Sequence, residues 1–499
     1  MSRISEFKGL SDVSQYRYLV VVANSAGLTG LIAAGSSIGA AITFCFLLFL
    51  GNRIPKNDEI LLSALFFFIG ALLESLSGDL SWKNGMGLGS LITGRLLYGA
   101  AIALSFHSVP EYISEISPKL GRGSIGSLTE AMIVIGVCLG FLLGYLTSSE
   151  NGFIITFRFG CLIALIMGVL ALFLPRSPQA LLSSGADNDV VLKSIQYTRP
   201  TATISAVTEF RVALEEAKGA KSVWEKKVLS KLKSFGTTNI FTRILITLPT
   251  EVKVLLISRT LRQCLFLSLL LVFLQQFSGQ GAILYYSGRI FQEICPKSTS
   301  SCVIGFGMVK LFFVMVMVFV ADSWGRRKFL IMGSSLMTLG LTMLCIGLSY
   351  QEYTLALIGI YLSVAANEVS LATLLWVVLC EIFPQFVRSA AISIAIATLF
   401  TWSSIVVFIM PYISDSMGLF AVFLTYAITA AISVILLYLY VPETRGVDLE
   451  VSYKLVNVRL GKTSTCCTSK KAALPEDDIS TDSGSSEASP LLTTSTGVV

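Results

Sequence analysis

Long apolar runs separated by short polar connectors set the pattern of this chain. A membrane-spanning helix needs about 20 mostly apolar residues. Eleven such stretches are legible, at about 28–50, 60–78, 88–109, 124–147, 153–174, 264–286, 303–321, 329–349, 354–380, 389–411 and 418–441. The runs are continuous rather than alternating, which predicts spanning helices and not barrel strands. Composition agrees. Of 499 residues, 54% are hydrophobic and only 14% charged, against about 25% charged in soluble domains. That excludes a multidomain soluble enzyme and a mainly disordered chain. One His and ten Cys leave little room for a His-rich metal site or a disulfide-built extracellular domain. The expected class is an all-α, multi-pass membrane protein with no metal and no cofactor.

Lys and Arg set the sidedness. Alternate connectors hold nearly all of them: Arg53 and Lys56; Lys119 and Arg122; fourteen from Arg176 to Arg262; Arg326, Arg327 and Lys328; Arg388; and six after Tyr440. The opposite connectors hold Lys83, Arg289 and Lys297. The positive-inside rule puts the rich side in the cytosol. This asymmetry accounts for the net charge of +6 without a nucleic-acid partner. Eleven spans and a cytosolic C-terminus put the N-terminus outside. Yet residues 1–27 read as a non-spanning segment with three basic residues and no signal-peptide core. The expectation is that a first span is missing from this chain.

The chain reads as two related halves. Glu115-Ile-Ser-Pro118-x3-Arg122 recurs as Glu381-Ile-Phe-Pro384-x3-Arg388, an offset of about 266. "LPRSP" at 174–178 matches "VPETR" at 441–445, which holds Glu443, and the connector at 51–58 matches "ADSWGRRK" at 321–328, which holds Asp322, Arg326 and Arg327. Such parallel duplication is a recurrent transporter plan. The expected organisation is a helical bundle over 28–175, a linker with short helices over 176–262, a second bundle over 263–442, and a tail over 443–499. The repeated Glu and Arg sit at cytosolic helix ends. They can bridge helices while that side is closed and part when it opens. The plainer alternative is interfacial anchoring.

Several tracts resemble the sugar porters of the major facilitator superfamily: "GRLLYGAAIAL" (94–104), "PEYISEISPKLGRG" (110–123), "QQFSGQGAILYYS" (275–287), "DSWGRRK" (322–328), "EIFPQFVR" (381–388) and "VPETRG" (441–446). The tract from Gly94 to Glu115 is most similar to plant-type D-xylose–proton symporter-like members. The resemblance implies twelve helices in two bundles, of which about eleven are seen here. It implies a midplane site and alternating access for a monosaccharide or polyol. It places Gln275 and Gln276 on tandem sugar-binding glutamines. Tyr285 and Tyr286 fall on the tyrosines of a broken seventh helix at the outer gate, and Glu368 and Trp376 lie near the sugar on the tenth. Amides suit hydroxyls, and an aromatic face suits the C–H side of a pyranose.

The departures from that pattern are as informative. Gly281 stands where Asn is usual, Ala372 and Thr373 where a Gly-Pro pair is usual, and Leu399 and Phe400 where Asn-Trp is usual. Asn52, Pro55, Lys56 and Asn57 degrade the first connector motif. Glu130 and Lys310 replace neutral amides that face the substrate. Ionisable groups inside a membrane are functional candidates by default. From opposite halves, Glu130 and Lys310 are expected to pair across the cavity, as a coupling device or a static tie. Lys310 alone would suit an anionic substrate. Glu368 is a further functional carboxylate or a structural one. Arg95 near a helix start reads as snorkelling or as pairing with the repeated gate Glu. His107, the only histidine, is a pH sensor or, more plainly, a hydrogen-bonded interfacial side chain.

Cys295 and Cys302 share one non-cytosolic connector and either close a disulfide or stay free. Cys466 and Cys467 are palmitoylation candidates in the tail. From about 462 the composition is that of a disordered tail. Within it, Glu487, Leu491 and Leu492 fit an acidic dileucine address for a sorting adaptor, pointing to an endolysosomal or vacuolar membrane, with the plasma membrane as the alternative. No chloroplast transit peptide, Walker loop, HExxH or nucleophile elbow is visible. The reading is a secondary transporter and not an enzyme. Proton symport is favoured over facilitative uniport by Glu130 and Lys310. A non-transporting sensor and an organic-anion carrier are the rivals.

Overall fold

The computed structural model describes residues 25–50, 54–77, 86–116, 122–147, 152–198, 248–320 and 325–444, with scattered positions of 203–226 and 455–459. The segment 1–24, Asp322, Cys466, Cys467, and the dileucine residues Glu487, Leu491 and Leu492 lie outside the described residues, as do the side chains of Glu115 and Arg122.

Every described element is helical. The first half has α1 (Ala26–Leu50), α2 (Lys56–Leu76), α3 (Met86–Ile116), α4 (Arg122–Leu146) and α5 (Gly152–Leu172). Two short helices follow, α6 (Pro178–Ser183) and α7 (Asn188–Thr198). Ser177 caps α6 by accepting from the Ala180 N–H at 3.2 Å. Val191, Ile195 and Val207 give this linker its own small apolar cluster. The second half has α8 (Thr250–Ile257), α9 (Arg259–Gln276), α10 (Gln280–Ile294), α11 (Thr299–Val320), α12 (Arg326–Tyr350), α13 (Tyr353–Asn367), a π turn (Glu368–Ala372), α14 (Thr373–Glu381) and α15 (Gln385–Tyr440).

Helix α15 has 56 residues. At 1.5 Å per residue a straight rod of that length would measure about 84 Å, far beyond a hydrocarbon core of about 30 Å. The chain reverses at Gly418, whose φ of 78° and ψ of 169° no L side chain tolerates. Its two ends accordingly meet. Thr444, just past the end, donates to Glu381 Oε2, just before the start, at 2.5 Å. Counting α15 as two passes and α9–α10 as one broken pass gives eleven crossings among the described residues, in line with the eleven apolar stretches.

The halves meet along two helix pairs. Helix α1 packs on α15, and α4 packs on α11. The sequence offset of about 266–270 maps α1 onto α11 and α4 onto the start of α15. The two interfaces are thus copies of each other, as a duplicated chain with a pseudo-two-fold axis requires. Small and polar residues line both. Ser37 and Ser403 approach to 3.4 Å, and Cys138 Sγ donates to the Gly307 carbonyl at 3.1 Å. In lipid, apolar faces alone do not drive helices together, so close packing of small residues carries the association.

Within the first half, Gly99 of α3 lies directly against the backbone of α1. A Cβ there would sit 2.8 Å from the Ala40 nitrogen. Gly99→Val is therefore expected to force α1 and α3 apart, costing roughly 1–3 kcal/mol. Gly140→Ala, with nothing near its added Cβ, is expected to be neutral. Thermal unfolding of the detergent-solubilised protein, followed by size exclusion, checks both.

Candidate functional site

The broken helix is the first element of the site. Helix α9 ends at Gln276, Gly279 takes a left-handed φ of 82°, and α10 resumes at Gln280. A second irregularity at Tyr286 (φ −112°, ψ 19°) bends α10 again. The broken helix implied by the family resemblance is present. Gln276 donates to Gln275 Oε1 at 2.8 Å, so the tandem amides are paired with each other. The side chain of Gln280 keeps its NH2 group buried and unpartnered. Tyr286 donates to the Val407 carbonyl at 2.8 Å, whereas the half-exposed Tyr285 reaches Ser37 of the other half at 3.5 Å. The hydroxyls of the tyrosine pair thus tie α10 to both halves. Beyond them Arg289 pairs with Asp415 at 2.5 Å on the exposed surface. Asp415 was not singled out by sequence; it becomes legible only once the first limb of α15 packs against α10.

A group of charges is the second element. Lys310 of α11 forms its ion pair with Glu368, which is fully buried at the start of the π turn. Glu130 of α4, also buried, accepts from Trp376 Nε1 at 3.2 Å. Lys310 and Glu368 both lie within electrostatic reach of Glu130. The expected direct Glu130–Lys310 pair is therefore corrected. The partner of Lys310 comes from its own half, and Trp376 is the link across halves. The reason is the π turn, whose extra residue per turn re-aims side chains at its ends. It ends at Ala372, where the family's Gly-Pro pair usually begins. Thr373 Oγ1 donates to the Glu368 carbonyl at 2.8 Å, which satisfies a carbonyl that the wider turn would otherwise leave open. Glu368 Oε2 has no partner. A buried acceptor without a donor is costly, and this one is the natural contact for a hydroxyl or a proton.

Aromatic rings close the space around these charges. Trp376 lies 5.5 Å from Phe106, which meets Phe400 edge-on at 5.7 Å, and Phe400 stacks on Phe44 at 5.9 Å. Phe400 stands where the family has Trp. Trp402 meets Phe273 and Phe277 at 5.5 and 5.4 Å. A Cβ at Gly281 would meet Gln276 Oε1 at 3.6 Å, ordinary contact, so a larger residue is not excluded there by space.

The third element is the linker-facing end. In the second half, Arg326 pairs with Glu381 at 3.0 Å, and Glu443 accepts from the backbone N–H groups of Arg326 (2.8 Å) and Arg327 (3.3 Å). A carboxylate on the first amides of a helix is favoured by the helix dipole. The Arg327 guanidinium donates to the Tyr438 carbonyl at 2.8 Å and lies over its ring. Arg388 donates to the Phe383 carbonyl at 3.2 Å. In the first half Lys56 takes the place of Arg326, but its partner is Glu111 at 2.7 Å, one helical turn before Glu115. Glu59 and His107 complete a buried cluster: His107 Nδ1 lies 3.0 Å from Glu59 Oε2 and 3.3 Å from Lys56 Nζ. Ser389 of the other half hydrogen-bonds Glu111. Sequence reading missed Glu59 and Glu111. Their signal was the spacing Lys56/Glu59 and His107/Glu111, each on one helix face.

One of the two readings of Arg95, pairing with the repeated gate Glu, is corrected. Arg95 pairs with Glu74 at 3.5 Å and lies over Phe157. It is 20 residues before Glu115 on the same helix, about 30 Å away along the axis, so it belongs to the opposite end from the repeated Glu.

Removing one partner of a buried ion pair strands the other, at a cost of about 3–5 kcal/mol. Lys310→Met is therefore expected to lower the melting temperature strongly. Lys310→Met combined with Glu368→Gln is expected to recover most of the loss. A thermal-shift double-mutant cycle measures the coupling.

Known proteins resemble this chain in sequence and in fold. The profile of the family described as "Sugar (and other) transporter" matches residues 2–454. D-xylose-proton symporter-like 3, chloroplastic, of Arabidopsis thaliana is 29% identical over 84% of this chain and 73% of its own. The glucose transporter GlcP of Staphylococcus epidermidis is 27% identical over 85% and 88%. Among solved structures, the proton:xylose symporter XylE bound to 6-bromo-6-deoxy-D-glucose superposes with a TM-score of 0.69 at 22% identity, covering 91% of this chain and 93% of that one. The partially occluded, inward-open xylose transporter XylE from E. coli gives 0.68 at 20%, over 90% and 94%. The profile match spans both halves, the broken helix and the charged group, and this chain belongs to the sugar porters of the major facilitator superfamily.

Proposed function

We propose that the protein is a proton-coupled symporter of a monosaccharide or polyol, working by alternating access. One observation carries the coupling: two buried carboxylates, Glu130 and Glu368, and the largely buried ammonium of Lys310 form one set at the meeting of the halves. Such a set bears one net negative charge, and one proton makes it neutral. A neutral set costs less to carry through an occluded state than a charged one. The Trp376–Glu130 hydrogen bond joins the second half to the first, so protonating Glu130 bears directly on the contact between halves. The substrate would displace the Gln275–Gln276 amide pairing and give Glu368 Oε2 a hydroxyl donor, with Trp376 against its C–H face.

Gate roles are assigned to Arg326, Glu381 and Glu443 in the second half and to Lys56 and Glu111 in the first, supported by their ion pairs at the linker-facing end. Glu115, Arg122, Arg388, Asp322 and Arg327 join them by their place in the repeat. The protein carries out transport without a chemical step on its substrate. The dileucine tract of Glu487, Leu491 and Leu492 supports delivery by a sorting adaptor to an endolysosomal or vacuolar membrane.

Uptake of labelled glucose, xylose and an inositol into proteoliposomes, with and without an inward proton gradient, tests the proposal. Accumulation above equilibrium is expected only with the gradient. Glu130→Gln is expected to abolish accumulation while leaving exchange of substrate across the membrane. Gradient-blind flux in both proteins would establish a uniporter instead.

A further inference from the structure

The connector between α10 and α11 carries a feature that the transport proposal does not use. Helix α10 ends at Ile294, and Cys295 follows as its cap. Cys302 lies in the first turn of α11. The intervening turn is tightly held. Ser298 N–H donates to the Cys295 carbonyl at 3.1 Å, Thr299 Oγ1 donates to the same carbonyl at 3.0 Å, and Cys302 N–H donates to the Ser298 carbonyl at 3.0 Å. These bonds fold the connector back on itself, Ser298 Oγ lies 3.9 Å from Cys302 Sγ, and the two thiols face each other within interaction range. Neither is joined to another cysteine in this structure. Tyr361 of α13 donates to the Cys302 carbonyl at 3.0 Å, which anchors the α11 side to the rest of the bundle. Phe291 of α10, fully buried against Phe306 and Tyr361, packs the other side.

We propose that Cys295 and Cys302 are a reversible dithiol–disulfide site that clamps the outer half of the broken helix to α11. The oxidant is a small-molecule disulfide of the glutathione type. The Cys295 thiolate, on the more exposed residue, attacks one sulfur of that disulfide and releases one thiolate. The Cys302 thiolate then attacks the Cys295 sulfur of the mixed disulfide and releases the second. The two protons lost by the cysteines go to the two small thiols formed, so the exchange balances. The site lies on the face that carries few Lys and Arg, the non-cytosolic face by charge, where disulfides persist. The consequence follows from position. The clamped helix α10 carries Tyr285 and Tyr286, whose hydroxyls contact Ser37 and the Val407 carbonyl. Fixing its far end to α11, which carries Lys310, restricts the swing that would open this side. Burial and the facing thiol push Cys295 up to about 12. Little thiolate is therefore present at neutral pH, and the oxidation rate is expected to rise about tenfold per pH unit below that value.

Purified full-length protein is incubated with glutathione disulfide at pH 7.5 and 8.5, alkylated with N-ethylmaleimide, digested without reduction and weighed. The expected result is a 295–302 peptide that is two hydrogens lighter and unalkylated, formed about tenfold faster at the higher pH, and reopened by dithiothreitol. Full alkylation of both cysteines after prolonged exposure would overturn the site. Its effect rests on the transport proposal and is read separately. Oxidation is expected to slow proteoliposome uptake at least threefold, reversibly, in the wild type and not in Cys295→Ser or in the Cys295→Ser/Cys302→Ser pair. An equal fall in the variants, or unchanged uptake in fully disulfide-bonded protein, would overturn the clamp. Absence of uptake in reduced wild type would count against transport alone, since the mass measurement decides the disulfide independently.

Discussion

A charge in the interior of a bilayer has no water around it, and the placement of charge in this protein follows from that constraint. Lys310, Glu368 and Glu130 lie wholly or largely buried in spanning helices, and each has a partner from another segment. Lys56, Glu59, His107 and Glu111 obey the same rule at the linker-facing end. So does the Arg95–Glu74 pair near the opposite end. Because an unpaired member of such a group is strongly destabilising, any motion that separates partners must supply new ones, whether from substrate, proton or water. That is the physical basis on which a charged network can bias a two-state machine. It ties the coupling set at the centre to the clusters at the ends.

The interface between halves has a different character. Its contacts are hydroxyls, small residues and stacked aromatic rings: Ser37 with Ser403, Cys138 with Gly307, Phe44 with Phe400. None of these is individually strong, since a net hydrogen bond contributes only about 1 kcal/mol. Two halves that must rock against each other need such a seam, close-packed but without deep interlocks. Stronger ion pairs sit mainly within each half, as in Arg326–Glu381 and Lys56–Glu111. The Glu111–Ser389 and Glu130–Trp376 hydrogen bonds are the exceptions that carry charge to the seam.

Backbone irregularity is concentrated where the chemistry is. Helix α9–α10 breaks at Gly279 beside the tandem glutamines, and the π turn begins at Glu368 itself. Irregular backbone at membrane depth is tolerated where protein or a cavity, rather than lipid, surrounds it. Both irregular segments are enclosed by packed helices here. The Ala372-Thr373 departure from the family's Gly-Pro pair becomes intelligible in this light. A π turn braced by the Thr373 hydroxyl supplies a local irregularity at that point without a proline.

Apolar run length determined the number and positions of the crossings, because spanning a hydrocarbon layer is a one-dimensional requirement that each segment meets alone. The repeat was legible for the same reason: Glu115 and Glu381 recur at one offset whatever the fold does with them. The candidate residues were legible as types, since Glu130 and Lys310 stand out in any apolar run. Their partners were not. The expected Glu130–Lys310 pair gave way to Lys310–Glu368 and Glu130–Trp376, because pairing depends on rotation about each helix axis, and a single π turn changes that rotation by an amount no periodicity reveals. Arg95 met Glu74 rather than the repeated Glu because depth along a long helix outweighs motif membership. Glu59 and Glu111 escaped notice since a carboxylate near a span end looks like an anchor until a neighbouring helix brings Lys56 and His107 against it. Composition and spacing decide which segments enter the membrane; only packing decides which charges face one another there.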